Sequence, residues 1–234
     1  LLCIGYGFSA RALTADLQQQ GWHVIGTTRN EDRAHIMREA GVQPIIWPSH
    51  DLDQALKDAS HLLVSASPSS EGDPFLNAVD PNAYKFSWIG YLSTTGVYGD
   101  HNGGWVDETS SLNPATKRGQ WRKNAETAWS NMGLPLHIFR LAGIYGPGRG
   151  PFSKVRNGTA RRIIKDGQVF SRIHVDDISQ VLQASINQPR PGAIYNVCDN
   201  EPAPPQHVIK YAAQILKLPV PPDIPFEAAE LTSM

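Results

Sequence analysis

The chain has 234 residues, of which 41% are hydrophobic and 18% are charged, a balance typical of a globular domain with a sizeable core. Its formal net charge of −1 argues against bulk binding to nucleic acid or to an anionic membrane, and no apolar run approaches the length of a membrane span. Cys3 and Cys198 are the two cysteines, and they lie far apart without metal-ligand spacing. We therefore expect two buried thiols, no bound metal and a reducing, cytoplasmic location.

The opening stretch, Leu1 to Ala10, joins a short apolar run to the pattern G-x-G-x-x-A, and residues with helical spacing follow. This order predicts the strand, turn and helix of a dinucleotide-binding fold. Gly5 permits the tight turn, Gly7 lets the backbone approach a pyrophosphate, and Ala10 lets the helix pack closely on the strand. A structural turn without a cofactor is the alternative interpretation. The residues that start this helix and would meet the phosphates are Phe8, Ser9 and Ala10.

A second strand is predicted from Trp22 to Thr27, and its end faces the adenosine ribose in folds of this kind. An acidic residue about twenty positions past the glycines would indicate NAD, but Thr28 and Arg29 follow the strand here. Arg29 can pair with a 2′-phosphate, and Thr28 can donate a hydrogen bond to it. We therefore expect NADP rather than NAD, with a solvated loop charge as the alternative for Arg29.

The next segments alternate between strand and helix patterns. Strands are predicted at Pro44 to Trp47 and at His61 to Ala66, with a helix from Asp51 to Ala59 between them. This alternation predicts an α/β fold, a doubly wound parallel Rossmann sheet with a small C-terminal cap. Small residues end the fourth strand and would let a cofactor lie across it. They are Ser65, Ala66 and Ser67.

A fifth predicted strand, Phe86 to Leu92, runs into Ser93-Thr94-Thr95-Gly96-Val97-Tyr98-Gly99. Three later motifs, at 140–148, 172–178 and 195–197, follow in the chain. Together with the opening loop, they resemble the extended short-chain dehydrogenase/reductases, the superfamily of nucleotide-sugar epimerases and dehydratases. The resemblance covers nearly the whole chain and implies hydride transfer through a nicotinamide cofactor.

Enzymes of that family use a Ser or Thr, a Tyr and a Lys, and the lysine ammonium lowers the pKa of the phenol. The resemblance implies that Thr94 is the hydroxyl residue and that Lys123 is the lysine, which also binds the cofactor. The tyrosine position holds Gly119, so the usual proton donor is missing. We expect the glycine to leave a gap about the size of a phenol. Tyr98 is a candidate substitute acid, as is Tyr145, with packing as the alternative for both.

Other family positions also differ. The acidic pair of the dehydratases is replaced by Thr95 and Gly96, an epimerase asparagine by Gly143, and a phosphate-binding arginine by Phe170. The resemblance therefore implies an atypical member rather than ordinary nucleotide-sugar chemistry. The sequence His174, Asp176 and Asp177 looks like a metal or acid–base cluster, but a helix start with a packed histidine is the simpler interpretation.

The segment 149–172 is strongly basic and begins with glycine-rich sequence that we expect to be a mobile loop. It is either a solvated basic face or a lid for an anionic small molecule. We interpret residues 1–234 as a single NAD(P)-binding domain with a small substrate cap from about 146–168 and 199–234.

The function indicated is an NADP-dependent oxidoreductase or epimerase acting on a small, anionic or nucleotide-linked substrate through an atypical site. A catalytically silent NADPH-binding sensor or scaffold is the alternative. The expected partners are a small-molecule substrate and, as an open option, a second copy in a homodimer; nucleic acid and membrane are not expected.

Overall fold

A seven-stranded parallel sheet forms the centre of the protein, in the order β10-β6-β5-β4-β1-β2-β3. The structure is a computed structural model, and it describes residues 1–229. The strands are β1 (Leu2–Ile4), β2 (Ile25–Thr28), β3 (Gln43–Ile46), β4 (His61–Val64), β5 (Trp88–Thr94), β6 (Leu136–Leu141), β7 (Gly143–Tyr145), β8 (Arg162–Ile164), β9 (Arg172–His174), β10 (Ile194–Val197) and β11 (Asp223–Pro225). The helices are α1 (Phe8–Gln19), α2 (Glu31–Glu39), α3 (Asp51–Asp58), α4 (Lys117–Ser130), α5 (Pro151–Arg156), α6 (Val175–Asn187) and α7 (Pro205–Leu216).

The strand order confirms the predicted doubly wound sheet. From β1 the chain adds β2 and β3 on one side, then returns to add β4, β5, β6 and β10 on the other side. The direction of winding therefore reverses between β1 and β4, and the carboxyl ends of these two strands border the crevice where such sheets bind ligands.

All four predicted strands from β2 to β5 differ from the sequence prediction at one end or both, and at two of these ends the pairing partners explain the difference. β2 begins at Ile25 rather than at Trp22, since Leu2 is the first residue of β1 and pairs with Ile25. β5 extends to Thr94 rather than ending at Leu92, because β6 continues to pair with it up to the Thr94–Leu141 position.

Large aromatic side chains fill the core beneath α4. Trp129 stacks on Phe75 with ring centroids 5.8 Å apart and lies 6.1 Å from the Tyr91 ring, and all three side chains are buried. The expectation of two buried cysteines is wrong in one case. Cys3 in β1 is buried, and burial raises the pKa of its thiol to about 12, whereas Cys198 is exposed.

The chain divides into two compact units, and the seven-stranded sheet belongs to the first, which comprises residues 1–100, 106–141 and 175–197. The second unit comprises 101–105, 142–174 and 198–234, of which 230–234 lie outside the described residues. Its own core packs α5 against α7 through Val155, Ile209 and Ala213. The glycine-rich start of the basic segment was expected to be a loop, but Gly150 leads directly into α5, where a proline occupies the first turn.

The role of segments 146–168 and 199–234 as a substrate cap stays a prediction. Within residues 1–229, no helix combines the length and the apolarity that crossing a membrane would require.

Candidate functional site

The loop between β1 and α1 has the tight geometry that its first glycine was expected to provide. Gly5 has a φ of +85°, in the left-handed region that favours glycine. Its N–H donates to Thr27 Oγ1 at 2.8 Å, and the Tyr6 N–H donates to the Thr27 carbonyl at 3.1 Å. A Cβ on Gly5 would lie 3.1 Å from both the Ala66 nitrogen and Ser65 Oγ. The loop is therefore held against β2 on one side and against the end of β4 on the other.

The second glycine differs from the first. Gly7 is exposed and precedes the first residue of α1 with extended backbone angles, and no side chain caps the helix there. A Cβ on Gly7 would meet no atom of the neighbouring described residues within 4 Å, so as far as residues 1–229 are concerned the space in front of the helix start is open. Ser9 and Ala10 are buried, and Phe8 is half-buried. A twelve-residue helix thus presents its N-terminal dipole to an open space, which suits a pyrophosphate.

The end of β2 holds one polar atom that is both buried and unpaired. Thr27 is engaged by the Gly5 N–H, but Thr28 Oγ1 is buried and finds no hydrogen-bond partner in the described part of the chain. A buried hydroxyl without a partner is costly, and such groups are usually satisfied by a ligand or water. Arg29 follows and is exposed. The residues that a dinucleotide would contact here therefore fit that group.

The end of β4 meets a half-buried arginine from α4 that the sequence interpretation did not select. Arg122 Nη1 donates to the Leu92 carbonyl at 2.8 Å and to Tyr91 Oη at 3.2 Å, and it lies 3.5 Å from the Ala66 carbonyl. Its Nη2 lies 3.5 Å from Ser67 Oγ. The Ser65 hydroxyl donates to the Gly5 carbonyl, so Ser65 fastens the glycine loop. The three small residues predicted to line the cofactor thus lie beside a fixed guanidinium.

Lys123, the predicted family lysine, has a different environment. Its Nζ donates to the Leu112 carbonyl at 2.8 Å, in the loop that precedes α4. The match to Lys123 rested on residue type, whereas the inward face of α4 is defined by Arg122, Glu126 and Trp129 at positions i, i+4 and i+7. The spacing of Glu126 and Trp129 was the available signal for Arg122.

The prediction of a phenol-sized gap at Gly119 is wrong. Gly119 is buried, and a Cβ there would lie 2.8 Å from the Gly96 carbonyl oxygen, 2.9 Å from Pro114 Cβ and 3.3 Å from Thr116 Oγ1. The Thr116 hydroxyl caps the helix by accepting the Gly119 N–H at 3.1 Å. The glycine therefore serves close packing of the helix start and leaves no room for a tyrosine.

Thr94 lies at the end of β5, half-buried, and its Oγ1 accepts the Gly96 N–H at 3.1 Å. Its hydroxyl hydrogen remains available for a ligand. Tyr98 is buried, and its hydroxyl donates to Asn196 Oδ1 at 2.7 Å while accepting from Arg140 Nη1 at 2.8 Å. These contacts agree with a packing role for Tyr98 and not with a role as substitute acid.

Arg140 and Glu126 form a buried ion pair beneath this region, with exposed side-chain fractions of 4% and 5%. Arg140 Nη2 donates to Glu126 Oε2 at 2.9 Å, and the Ser93 hydroxyl donates to Glu126 Oε1. Burial alone would lower the pKa of Arg140, but the hydrogen bonds to Glu126 and Tyr98 outweigh it and raise that pKa. This network fixes α4 against β5 and β6 and so fixes the position of Arg122, one turn before Glu126.

The remaining candidates lie in the second unit or at its boundary. Tyr145 is half-buried, with its ring 5.0 Å from that of His174 in a T-shaped contact. Asp176 and Asp177 lie in the first turn of α6, as the simpler interpretation expected. Among residues 1–229 no three His, Cys, Asp or Glu side chains are grouped in a way that could hold a metal ion. Within the basic segment, Arg162 binds Asp223 at 2.6 Å and the Lys165 ammonium lies over Phe226.

Comparisons with known proteins identify relatives of the chain and structures that share its fold. No family model matches the chain. It is 32% identical over 238 residues to protein YeeZ of Escherichia coli strain K12, covering 93% of this chain and 84% of that protein. A conserved protein of unknown function from Silicibacter pomeroyi DSS, whose structure has been solved, is 55% identical in sequence. The two structures match with a TM-score of 0.93, over 99% of this chain and 83% of that one.

More distant structures share the fold. UDP-glucuronic acid 4-epimerase from Bacillus cereus in complex with NAD is 19% identical, with a TM-score of 0.79 over 96% of this chain and 86% of that one. The dTDP-glucose 4,6-dehydratases of Bacillus anthracis and Streptomyces venezuelae, both solved with NAD, also share the fold, with TM-scores of 0.76 and 0.77.

Proposed function

The chain belongs to the family of the Escherichia coli protein YeeZ and has the fold of the extended short-chain dehydrogenase/reductases, and from this premise we propose that it is an NADP-dependent oxidoreductase or epimerase with an atypical site. The observation that supports this proposal most directly is the open space at the start of α1 beside Gly7, bordered by the end of β2 and the end of β4. The dinucleotide supplies the hydride acceptor or donor, and the substrate is a small, anionic or nucleotide-linked molecule.

The chain's own residues would hold the cofactor in three places. The pyrophosphate is bound by the N–H groups at the start of α1, because the helix dipole is directed there and Gly7 carries no side chain. The 2′-phosphate is bound by Arg29 and by the buried Thr28 hydroxyl, which gains the partner that it otherwise lacks. Ser65, Ala66 and Ser67, whose small side chains leave room at the end of β4, would hold the nicotinamide half beside Arg122.

The proton transfer differs from the family pattern because the phenols of Tyr91 and Tyr98, which lie near the end of β5, are buried and each accepts a hydrogen bond from an arginine. Thr94 can orient a substrate oxygen by hydrogen bonding, but an alcohol does not ionise near neutral pH, so it does not replace the missing acid. The Arg122 guanidinium stabilises negative charge that develops on a substrate oxygen. The proton itself then comes from water or from a group of the substrate, and we expect turnover to be slow, lacking a contribution of roughly 10²–10⁴-fold.

The cofactor assignment is tested by titrating the protein with NADPH and NADH. Wild type should prefer NADPH, and Arg29→Ala should lose about tenfold or more in NADPH affinity, since a charge-assisted contact contributes ~1.5–3 kcal/mol. Its NADH affinity should stay constant. Arg33→Ala, which removes another exposed charge four residues further on, is the matched control. Equal affinities for the two cofactors in wild type would show that Arg29 is only a loop charge.

A second function, a silent NADPH-binding sensor or scaffold, is favoured by one specific observation. The polar groups of Tyr98 and Lys123, the two candidates for moving or tuning a proton, are both bound to other parts of the protein. Following NADPH absorbance with ketones, aldehydes and nucleotide sugars separates the two proposals. Turnover that disappears in Arg122→Gln supports the enzyme, and NADPH binding without any turnover supports the sensor.

A further inference from the structure

Arg122 is a half-buried cation without a counter-charge. No carboxylate oxygen of residues 1–229 lies within 4 Å of its guanidinium, and the acidic residue one turn further along α4, Glu126, is bound to Arg140. Removing a cation from water without pairing it costs free energy, and such groups usually meet an anion.

The donors of this guanidinium are unequally used. Nη1 contacts three oxygens, of Leu92, Tyr91 and Ala66, while Nη2 has one long contact of 3.5 Å to Ser67 and Nε makes no hydrogen bond within residues 1–229. An arginine presents five N–H donors in a rigid fork, so one side of the fork is held by the protein and the other side stays available. The protein thus fixes the orientation of the Arg122 guanidinium but leaves some of its N–H donors available for a ligand.

A second arginine lies on the same face of the helix. Arg118 is exposed and precedes Arg122 by four residues, which places the two one turn apart, about 5–6 Å between their Cβ atoms. Together with Lys117 it puts two cations and no acid into the first turn of α4. Cations at a helix N-terminus are disfavoured by the helix dipole, and an anion bound there would remove that cost.

We propose that Arg118 and Arg122 form a binding site for the carboxylate of a small substrate, at the carboxyl ends of β4 and β5. The planar, bidentate fork of arginine matches the geometry of a carboxylate. This inference rests on the proposed function, because it assigns a substrate class to the same site. The substrate is then a small carboxylic acid that carries the reacting carbonyl or hydroxyl group, rather than a nucleotide sugar.

The test uses oxamate, which carries a carboxylate, and oxamide, its neutral analogue of the same size, titrated calorimetrically with and without saturating NADPH. Wild type should bind oxamate and not oxamide. Arg122→Gln should weaken oxamate binding by about tenfold or more, and Arg118→Gln should weaken it less, because Arg118 is the more exposed of the two. Lys85→Gln, which removes an exposed charge three residues before the first residue of β5, should change nothing.

Each outcome decides one of the two proposals. Absence of NADPH binding overturns the proposed function, while oxamate binding that depends on Arg122 in the cofactor-free protein still supports the carboxylate site. Oxamate binding that is absent, or equal in wild type and Arg122→Gln, overturns the carboxylate site. If Arg122→Gln instead weakens NADPH tenfold and oxamate does not bind, the guanidinium belongs to the cofactor site and the inference is wrong. Unchanged melting temperatures of the variants show that these effects are not failures of folding.

Discussion

The glycine loop after β1 and the junction between β5 and α4 differ in how their glycines are used. Gly7 has open space where a side chain would start, whereas Gly119 has a backbone oxygen 2.8 Å away. The loop glycine therefore leaves room for a ligand, and the helix glycine leaves room only for the protein itself. A missing side chain in a sequence is thus evidence for a binding space only when the structure shows that the space is empty.

The same contrast applies to the charged groups of the two regions. Around the glycine loop, backbone groups of Gly5 bond to the Thr27 and Ser65 hydroxyls, and the Thr28 hydroxyl has no partner within residues 1–229. In the second region, Glu126, Arg140 and Tyr98 satisfy one another in a buried network. The first region therefore leaves polar groups free to bind a ligand, whereas in the second region the buried network is satisfied and Arg122 and Thr94 still have donors to offer.

The largest expected effect comes from breaking that support. Glu126→Gln keeps the size of the side chain but leaves the Arg140 charge buried without its partner, which typically costs ~3–5 kcal/mol. Asp16→Asn is a suitable control, because Asp16 accepts hydrogen bonds from Ser179 and Gln183 without pairing to a cation. Chemical denaturation of the three proteins gives the free energy of unfolding, and a loss below ~1 kcal/mol in Glu126→Gln would contradict the role of the network.

The second prediction concerns the loop itself. Gly7→Val should fold like wild type, because its Cβ enters open space, but the side chain would occupy the place of the pyrophosphate. The lost charge-assisted hydrogen bonds are worth ~1.5–3 kcal/mol, which weakens NADPH binding roughly tenfold to 150-fold. Fluorescence titration measures the affinity, circular dichroism measures the fold, and Gly7→Ala supplies the intermediate step. Full affinity in a folded Gly7→Val protein would mean that the loop is only a structural turn.

The sequence predicted the glycine loop and the sheet because both depend on local patterns. The pattern G-x-G-x-x-A constrains backbone angles and a helix start over a few residues, and Gly5 and Ala10 lie where those constraints require. The alternation of strands and helices similarly determines a parallel sheet. Secondary-structure boundaries depended instead on partners far along the chain, as the pairing of Thr94 with Leu141 shows.

The rest of the site was not predictable from a motif, because it depends on which face of α4 meets the sheet. Lys123 matched the family by residue type, but one position along a helix changes the direction of a side chain by about 100°. Arg122 lies on the same face of α4 as Glu126, and Glu126 can be buried because it pairs with Arg140 in β6. In the sequence, the charged Glu126 on the same helix face as Trp129 was the signal that this face turns inward. That signal could be interpreted only once Arg140 was known to be the partner of Glu126.

The smallest expected effect tests whether Gly119 is closely packed or has room for a side chain. In Gly119→Ala, the higher helix propensity of alanine should add ~0.5–1 kcal/mol to the free energy of unfolding. Overpacking should remove ~1–3 kcal/mol, because the new Cβ would lie 2.8 Å from the Gly96 carbonyl oxygen and 2.9 Å from Pro114 Cβ. The net result should be a modest loss of stability with NADPH affinity unchanged, since the glycine loop is not touched. Ala128→Gly, at an exposed position of the same helix, measures the propensity alone and should cost ~0.5–1 kcal/mol. If Gly119→Ala were instead more stable than wild type by the amount that Ala128→Gly loses, then the helix start would have room for a side chain and the contrast between the two glycines would not hold.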